Sequence, residues 1–101
     1  MPTELRIYSM HPGKLDEFVE FFKGNIVPTS AMYDVTVQAA WRHDEKNEFV
    51  WIRSYRDEKT LKRYSDSPER AVYSPKTHDY IESIDVRMIE SVLESPPVAI
   101  T

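Results

Sequence analysis

The sequence predicts a small α+β domain on a four-stranded antiparallel sheet, and three observations carry that prediction. A strand, a tight turn and an amphipathic helix open the chain; a long hairpin of β-branched and aromatic runs fills residues 33–56; a broken helical stretch then leads into a last strand. The element order is β, α, β, β, α, β. Four strands with two helical connections on one face describe the ferredoxin-like fold.

Thr3 to Ser9 alternates with the period of a strand, Leu5 and Ile7 on one face and Glu4, Arg6 and Tyr8 on the other. Pro12 and Gly13 end it. From Lys14 the apolar residues Leu15, Phe18, Val19, Phe22 and Ile26 fall at helical spacing opposite Asp16, Glu17, Glu20 and Lys23. Pro28 sets the latest expected end of that helix, and Gly24-Asn25, which tolerate the left-handed conformation, could stop it a turn earlier.

Residues 33–43 and 48–56 are the two arms of the hairpin, separated by polar Asp44-Glu45-Lys46-Asn47. In the second arm Phe49, Trp51, Arg53 and Tyr55 share one face, while Val50, Ile52 and Ser54 take the other. Both faces carry large side chains. Helices cover one of them, so something must cover the second, and a second copy of the chain is the simplest candidate.

Asp57 reads as the N-cap of a helix from Glu58 to about Ser65, and Ser67-Pro68 and Ser74-Pro75 read as further starts, each a capping hydroxyl before a proline. A broken helical segment is therefore expected over residues 57–83. Ile84 to Leu93 supplies the last strand, with Val86, Met88 and Val92 opposite Arg87, Ile89 and Leu93, although Met-Ile-Glu-Ser-Val-Leu-Glu would also suit a helix. Pro96-Pro97 ends regular structure and leaves Val98 to Thr101 as a tail or an arm onto a neighbour.

Composition narrows the function classes. A chain of 101 residues makes one domain, 1–101, with two tryptophans and six tyrosines to fill a core. The net charge of -4, with basic residues scattered among acidic ones, gives no footprint for nucleic acid. Cysteine is absent, which removes disulfides, thiolate metal sites and cysteine nucleophiles and makes the cytoplasm the default compartment. No basic start precedes an apolar run and no apolar stretch is long enough to span a bilayer, so a soluble, unprocessed protein is expected.

The chemical candidates lie on strand faces. Arg6 and Tyr8 project from one face of the first strand, and Trp51, Arg53 and Tyr55 from one face of the third. Should these faces coincide, they form a patch for an aromatic anion: guanidinium for carboxylate or phenolate, rings for stacking, phenol for a proton. The rival reading pairs the arginines with Glu4, Glu48 or a partner carboxylate within a dimer interface and uses the rings as filling.

His11, His43 and His78 never fall three or four residues apart, so no local metal-binding pair exists and no metal is expected. His43-Asp44 reads as solvated loop. Ser74 with His78 and Asp79 has the residue types of a hydrolase triad, but no nucleophile elbow surrounds the serine and helix capping explains it better. Two glycines leave no dinucleotide or phosphate loop, and no cofactor is implied.

At Glu4-Leu5-Arg6-Ile7-Tyr8, then Pro12-Gly13-Lys14-Leu15-Asp16-Glu17-Phe18, then Val50-Trp51-Ile52-Arg53-Ser54-Tyr55-Arg56-Asp57 leading into a helix with Arg63, the chain resembles the NIPSNAP family of the dimeric α/β-barrel superfamily. The likeness runs over roughly residues 3–64. Segment 68–83, with its two prolines, departs from a regular helix of that family. The resemblance implies a homodimer whose two sheets face each other as a dimeric α/β barrel, and a cavity between helices and sheet in each protomer. It does not imply one reaction, since the superfamily includes cofactor-free monooxygenases, lactone isomerases, cyclases, haem-degrading enzymes and proteins without known activity. In haem-binding members a histidine can occupy the second helical connection, where His78 stands; the alternative is a solvent-exposed histidine beside Asp79.

Two expectations follow. One is a cofactor-free enzyme acting on an aromatic or polyketide-like small molecule, in which Tyr8 or His78 handles a proton and Arg6 or Arg53 steadies an enolate. The other is a non-catalytic dimer that binds a ligand or a protein.

Overall fold

A computed structural model describes residues 1–93 and shows strands β1 (Thr3–Met10), β2 (Val35–His43), β3 (Glu48–Tyr55) and β4 (Ile81–Ile89) in one antiparallel sheet, ordered β2-β3-β1-β4. Between β1 and β2 run α1 (Leu15–Phe21), a wider π-helical turn (Phe22–Ile26) and α2 (Val27–Met32). Between β3 and β4 run α3 (Glu58–Ser65), α4 (Pro68–Tyr73) and a 3₁₀ segment (Ser74–Asp79). This is the expected α+β, ferredoxin-like arrangement.

Register decides what faces the helices. In the central pair Glu4 lies opposite Arg53, Arg6 opposite Trp51 and Tyr8 opposite Phe49, so the polar and aromatic face of β1 joins that of β3. Helix α1 and its extension seat Leu15, Phe18, Phe22 and Ile26 on this face, all buried. The Phe22 ring centroid stands 4.7 Å from that of Phe49 and 5.1 Å from that of Trp51, and burying each such ring contributes about 1.5–3 kcal/mol. Leu5, Ile7, Val50 and Ile52 take the opposite face, which no helix of the described residues covers.

The first helical connection runs past both expected stops. Gly24 sits inside the π-helical turn without a positive φ, and Pro28 occupies the first turn of α2, where a missing N–H is least damaging. The stop comes at Asp34, whose φ of 58° is the left-handed conformation that ends helices. Ser67 caps α4 by accepting from the Arg70 amide, and Asp57 caps α3 by accepting from the Thr60 amide, both as expected. Ser74 does not cap. It continues the helical backbone out of α4, and its carbonyl, not its hydroxyl, is engaged, by Thr77 Oγ1 at 2.6 Å.

The last strand lies nearer the N-terminus than residues 84–93. It starts at buried Ile81, opposite Met10, and ends at Ile89, opposite Thr3. β1 begins at Thr3, so β4 has no ladder partner beyond Ile89. The expected proline stop and terminal arm lie outside the described residues.

Candidate functional site

The helix-facing side of the sheet is only partly filled. α1 and its extension pack the end of the face around Phe18 and Phe49, α3 seats Tyr64 on Val35 and Tyr55, and α4 seats Tyr73 beside Phe21; between these contacts remains a cavity of about 220 Å³. Its floor is Arg6, Tyr8, Trp51 and Arg53. Its roof comes from Tyr64 on α3 and from Arg70, Tyr73, Ser74, Thr77 and His78 on the later helical run. The volume lies below the roughly 300–1,000 Å³ of pockets for drug-sized ligands and is of the order of a molecule of one or two rings.

Four of the six candidate residues, the strand residues Arg6, Tyr8, Trp51 and Arg53, thus share the floor, and a fifth, His78 in the 3₁₀ segment, lies exposed on the cavity's wall. Tyr55 is buried on the same sheet face but off the cavity wall, where its hydroxyl donates to Glu4 Oε1 at 3.3 Å. The arginines do pair with Glu4, and they do so under the helices. Arg53 Nε donates to Glu4 Oε1 at 2.6 Å and Arg6 Nη1 to the same oxygen at 3.1 Å.

Burial opposes charge on the Glu4 carboxyl, yet Arg53 and then Arg6 outweigh it and hold the group below its ordinary value. Burial likewise works against the Arg53 charge, and the surrounding oxygens of Tyr55 and Glu4 restore it. The guanidinium of Arg53 also lies within 5.1 Å of the Trp51 ring centroid, 5.4 Å of Tyr55 and 5.2 Å of Tyr64, a cage of rings around one cation. One carboxylate therefore serves two guanidiniums. The floor keeps a net positive charge, and Arg70 on the roof adds another with no carboxylate partner among the described residues.

Tyr8 accepts Arg6 Nε at 2.7 Å through its hydroxyl oxygen, which leaves its own hydrogen unassigned to any side chain among the described residues. Burial pushes the Tyr55 and Tyr73 phenols well above their usual range, so both stay protonated at neutral pH. The Trp51 indole is buried with no oxygen or nitrogen partner for its Nε1 among the described residues. The edges and faces of Tyr8 and Phe22 meet that ring at 75° and 79°.

Outside the cavity, His43 pairs loosely with Glu48 at 3.4 Å and is exposed, and His11 Nε2 meets the His78 carbonyl at 3.2 Å. Ser74 and His78 both reach the wall without a mutual hydrogen bond. Sequence reasoning passed over Arg70, Tyr64, Tyr73 and Thr77. A signal existed: Arg70, Tyr73, Ser74 and Thr77 stand at i, i+3, i+4 and i+7, the spacing of one helical face.

Comparison with known proteins agrees with this architecture. An uncharacterised NIPSNAP domain protein from Burkholderia xenovorans superposes with a TM-score of 0.80 at 20% identity, over 95% of this chain and 99% of its own. A NIPSNAP family protein from Agrobacterium tumefaciens gives 0.80 at 16% identity, over 96% and 98%. A Bacteroides thetaiotaomicron protein provisionally named an antibiotic biosynthesis monooxygenase gives 0.81 at 20%, over 99% and 95%. At these identities the likeness establishes the fold alone. Among curated proteins none matches the chain. The NIPSNAP family model matches residues 3–96, nearly the whole sequence, and the chain belongs to the NIPSNAP family.

Proposed function

We propose that this NIPSNAP protein is a cofactor-free enzyme acting on a small aromatic or polyketide-like anion held between sheet and helices. The observation that carries the reading is the cavity wall, which presents three guanidiniums, Arg6, Arg53 and Arg70, and no carboxylate, against an aromatic floor. A partly desolvated positive wall attracts an anion far more strongly than an exposed one does, and the rings hold its plane. Arg6 and Arg53 steady the negative charge of an enolate or phenolate, Tyr8 hydrogen-bonds a second oxygen of the ligand at the floor, and His78 takes the carbon-bound proton. Monooxygenase, cyclase and isomerase chemistry all begin with such an anion. The likeness to a provisionally named monooxygenase is consistent with this class.

Arg70 provides the cleanest test, because it is half-buried and its loss breaks no ion pair among the described residues. A ligand-observed binding screen with aromatic acids and quinones should yield carboxylate-bearing hits. Arg70→Gln should weaken them about tenfold, as expected for one charge-assisted hydrogen bond, while thermal stability stays unchanged. No hit at millimolar concentration with a folded protein would sink the cavity reading.

The uncovered sheet face supports a second part of the proposal, in which two copies associate through Leu5, Ile7, Val50 and Ile52 as a dimeric α/β barrel. The cavity lies on the other side of the sheet, so each copy carries its own.

A further inference from the structure

Tyr64 on α3 and Tyr73 on α4 are both buried, at 1% and 6% exposure, and both line the cavity. Their hydroxyls are hydrogen-bonded to each other. Two hydroxyls carry two hydrogens, and one bond between them uses one. The second hydrogen therefore needs an acceptor of its own, whichever tyrosine is the donor within the pair. No side chain or backbone oxygen among the described residues accepts it. The charged groups that act on Tyr73 are Arg53 on β3 and Arg70 on its own helix, and guanidinium groups only donate. Solvent can satisfy that hydrogen when the cavity holds no ligand, and a ligand oxygen that displaces the water must accept it in turn.

We propose that the Tyr64–Tyr73 hydroxyl pair is the oxygen-recognition site of the cavity, which selects ligands bearing a phenolate or enolate oxygen. The inference rests on the cavity reading above and adds to it the group that the helical roof recognises. Chemistry favours an anionic oxygen over a neutral one. The Arg53 guanidinium lies 5.2 Å from the Tyr64 ring centroid, which polarises that phenol as a donor, and burial holds the Tyr73 phenol protonated. Donation through a two-hydroxyl chain strengthens the terminal bond, because the first hydroxyl polarises the second. The pair also spans α3 and α4, so a ligand oxygen bound there ties the two roof helices to the sheet floor.

The probes are 4-nitrophenolate and its uncharged methyl ether, 4-nitroanisole, titrated against the native protein, Tyr64→Phe, Tyr73→Phe, the double variant and Tyr8→Phe. Each single variant keeps one hydroxyl that can turn to the ligand, so its affinity for the phenolate should stay within about threefold of native. The double variant should lose about tenfold to a hundredfold, the range for a hydrogen bond to a charged acceptor. Affinity for the ether should hardly change. Replacing both members of the pair by phenylalanine leaves no unpaired polar atom, which favours a folded double variant.

A purely structural pair would change stability in the single variants and leave the phenolate affinity of the double variant at the native value; that result overturns the proposal. Loss confined to Tyr8→Phe also overturns it, since the oxygen then sits on the floor. Should the native protein bind aromatic carboxylates but not the phenolate, this inference fails while the cavity reading stands; failure of both probes and of every carboxylate removes both. In native protein labelled with 3-fluorotyrosine, the ¹⁹F resonances of residues 64 and 73, assigned from the single variants, should move on adding phenolate and not ether. Unmoved resonances under saturating phenolate overturn the proposal even where the double variant does not fold.

Discussion

Glu4 Oε1 receives Arg53 Nε, Arg6 Nη1 and the Tyr55 hydroxyl, and its side chain is only 12% exposed. Removing that charge leaves two guanidiniums facing each other with little water to screen them. Glu4→Gln should therefore destabilise the protein at neutral pH by about 2–3 kcal/mol, somewhat under the range for breaking a fully buried pair. The sign of the pH dependence follows from the depressed pKa. Relative to an ordinary carboxyl of 4.5, the folded form binds its proton less readily, so the contribution is complete above that value and is lost as pH falls through the folded pKa. Urea unfolding of both proteins from pH 7 to pH 3 should show the gap narrowing below about pH 4.5. A gap that stays constant to pH 3 would contradict an ionised, arginine-paired Glu4. Alternation in the sequence placed Glu4, Arg6 and Tyr8 on one face and Trp51 and Arg53 on another. It could not place the two faces together, because period two fixes sides and leaves register open. Only pairing Glu4 with Arg53 across β1 and β3 brings the site into being.

Among elements, the strands and the capped helices were legible because their signals are local: alternation, Asp57 before α3, Ser67-Pro68 before α4. The run from α1 to α2 was misread because Gly24, Asn25 and Pro28 are each helix stoppers by local preference, whereas burial of Phe22, Ile26, Thr29 and Ser30 against the sheet keeps the chain helical. Tertiary packing overrode propensity. The two glycines test this account in opposite directions. Gly24 has no positive φ, and a Cβ there meets nothing within 4 Å, so Gly24→Ala should stabilise by about 0.5–1 kcal/mol. Gly13 also has open space, but its φ of +75° is strained for any L side chain, so Gly13→Ala should destabilise by about 1 kcal/mol. Denaturant midpoints that move the same way for both would refute the conformational explanation. The roof of the cavity was illegible for a related reason. Two prolines broke the segment on paper, yet Pro68 opens α4 and Pro75 sits in the first turn of the 3₁₀ segment, so the face of Arg70, Tyr73, Ser74 and Thr77 continues unbroken.

For the molecule as a whole, the question is what covers the second side of the sheet. Leu5, Ile7, Val50 and Ile52 are only half-buried there, and Trp41 beside them is 54% exposed. The charged residues of this face on β4, Asp85 and Arg87, already neutralise each other at 2.8 Å. A half-buried apolar face with balanced charge suits pairing with its own copy across a two-fold axis, and a chain of 101 residues gains more from added burial than a larger one would. The expected outcome is a dimer in sedimentation equilibrium. Ile52→Lys places a charge at the middle of the uncovered face and should give monomers, because two copies would bring two such charges into one apolar interface. Since the cavity lies between sheet and helices of a single chain, that monomer should still bind aromatic acids in an Arg70-dependent way. A native monomer would remove the two-copy proposal without touching the cavity. A monomeric variant that folds but no longer binds would instead show that the cavity depends on the second copy, although every wall residue named here belongs to one chain.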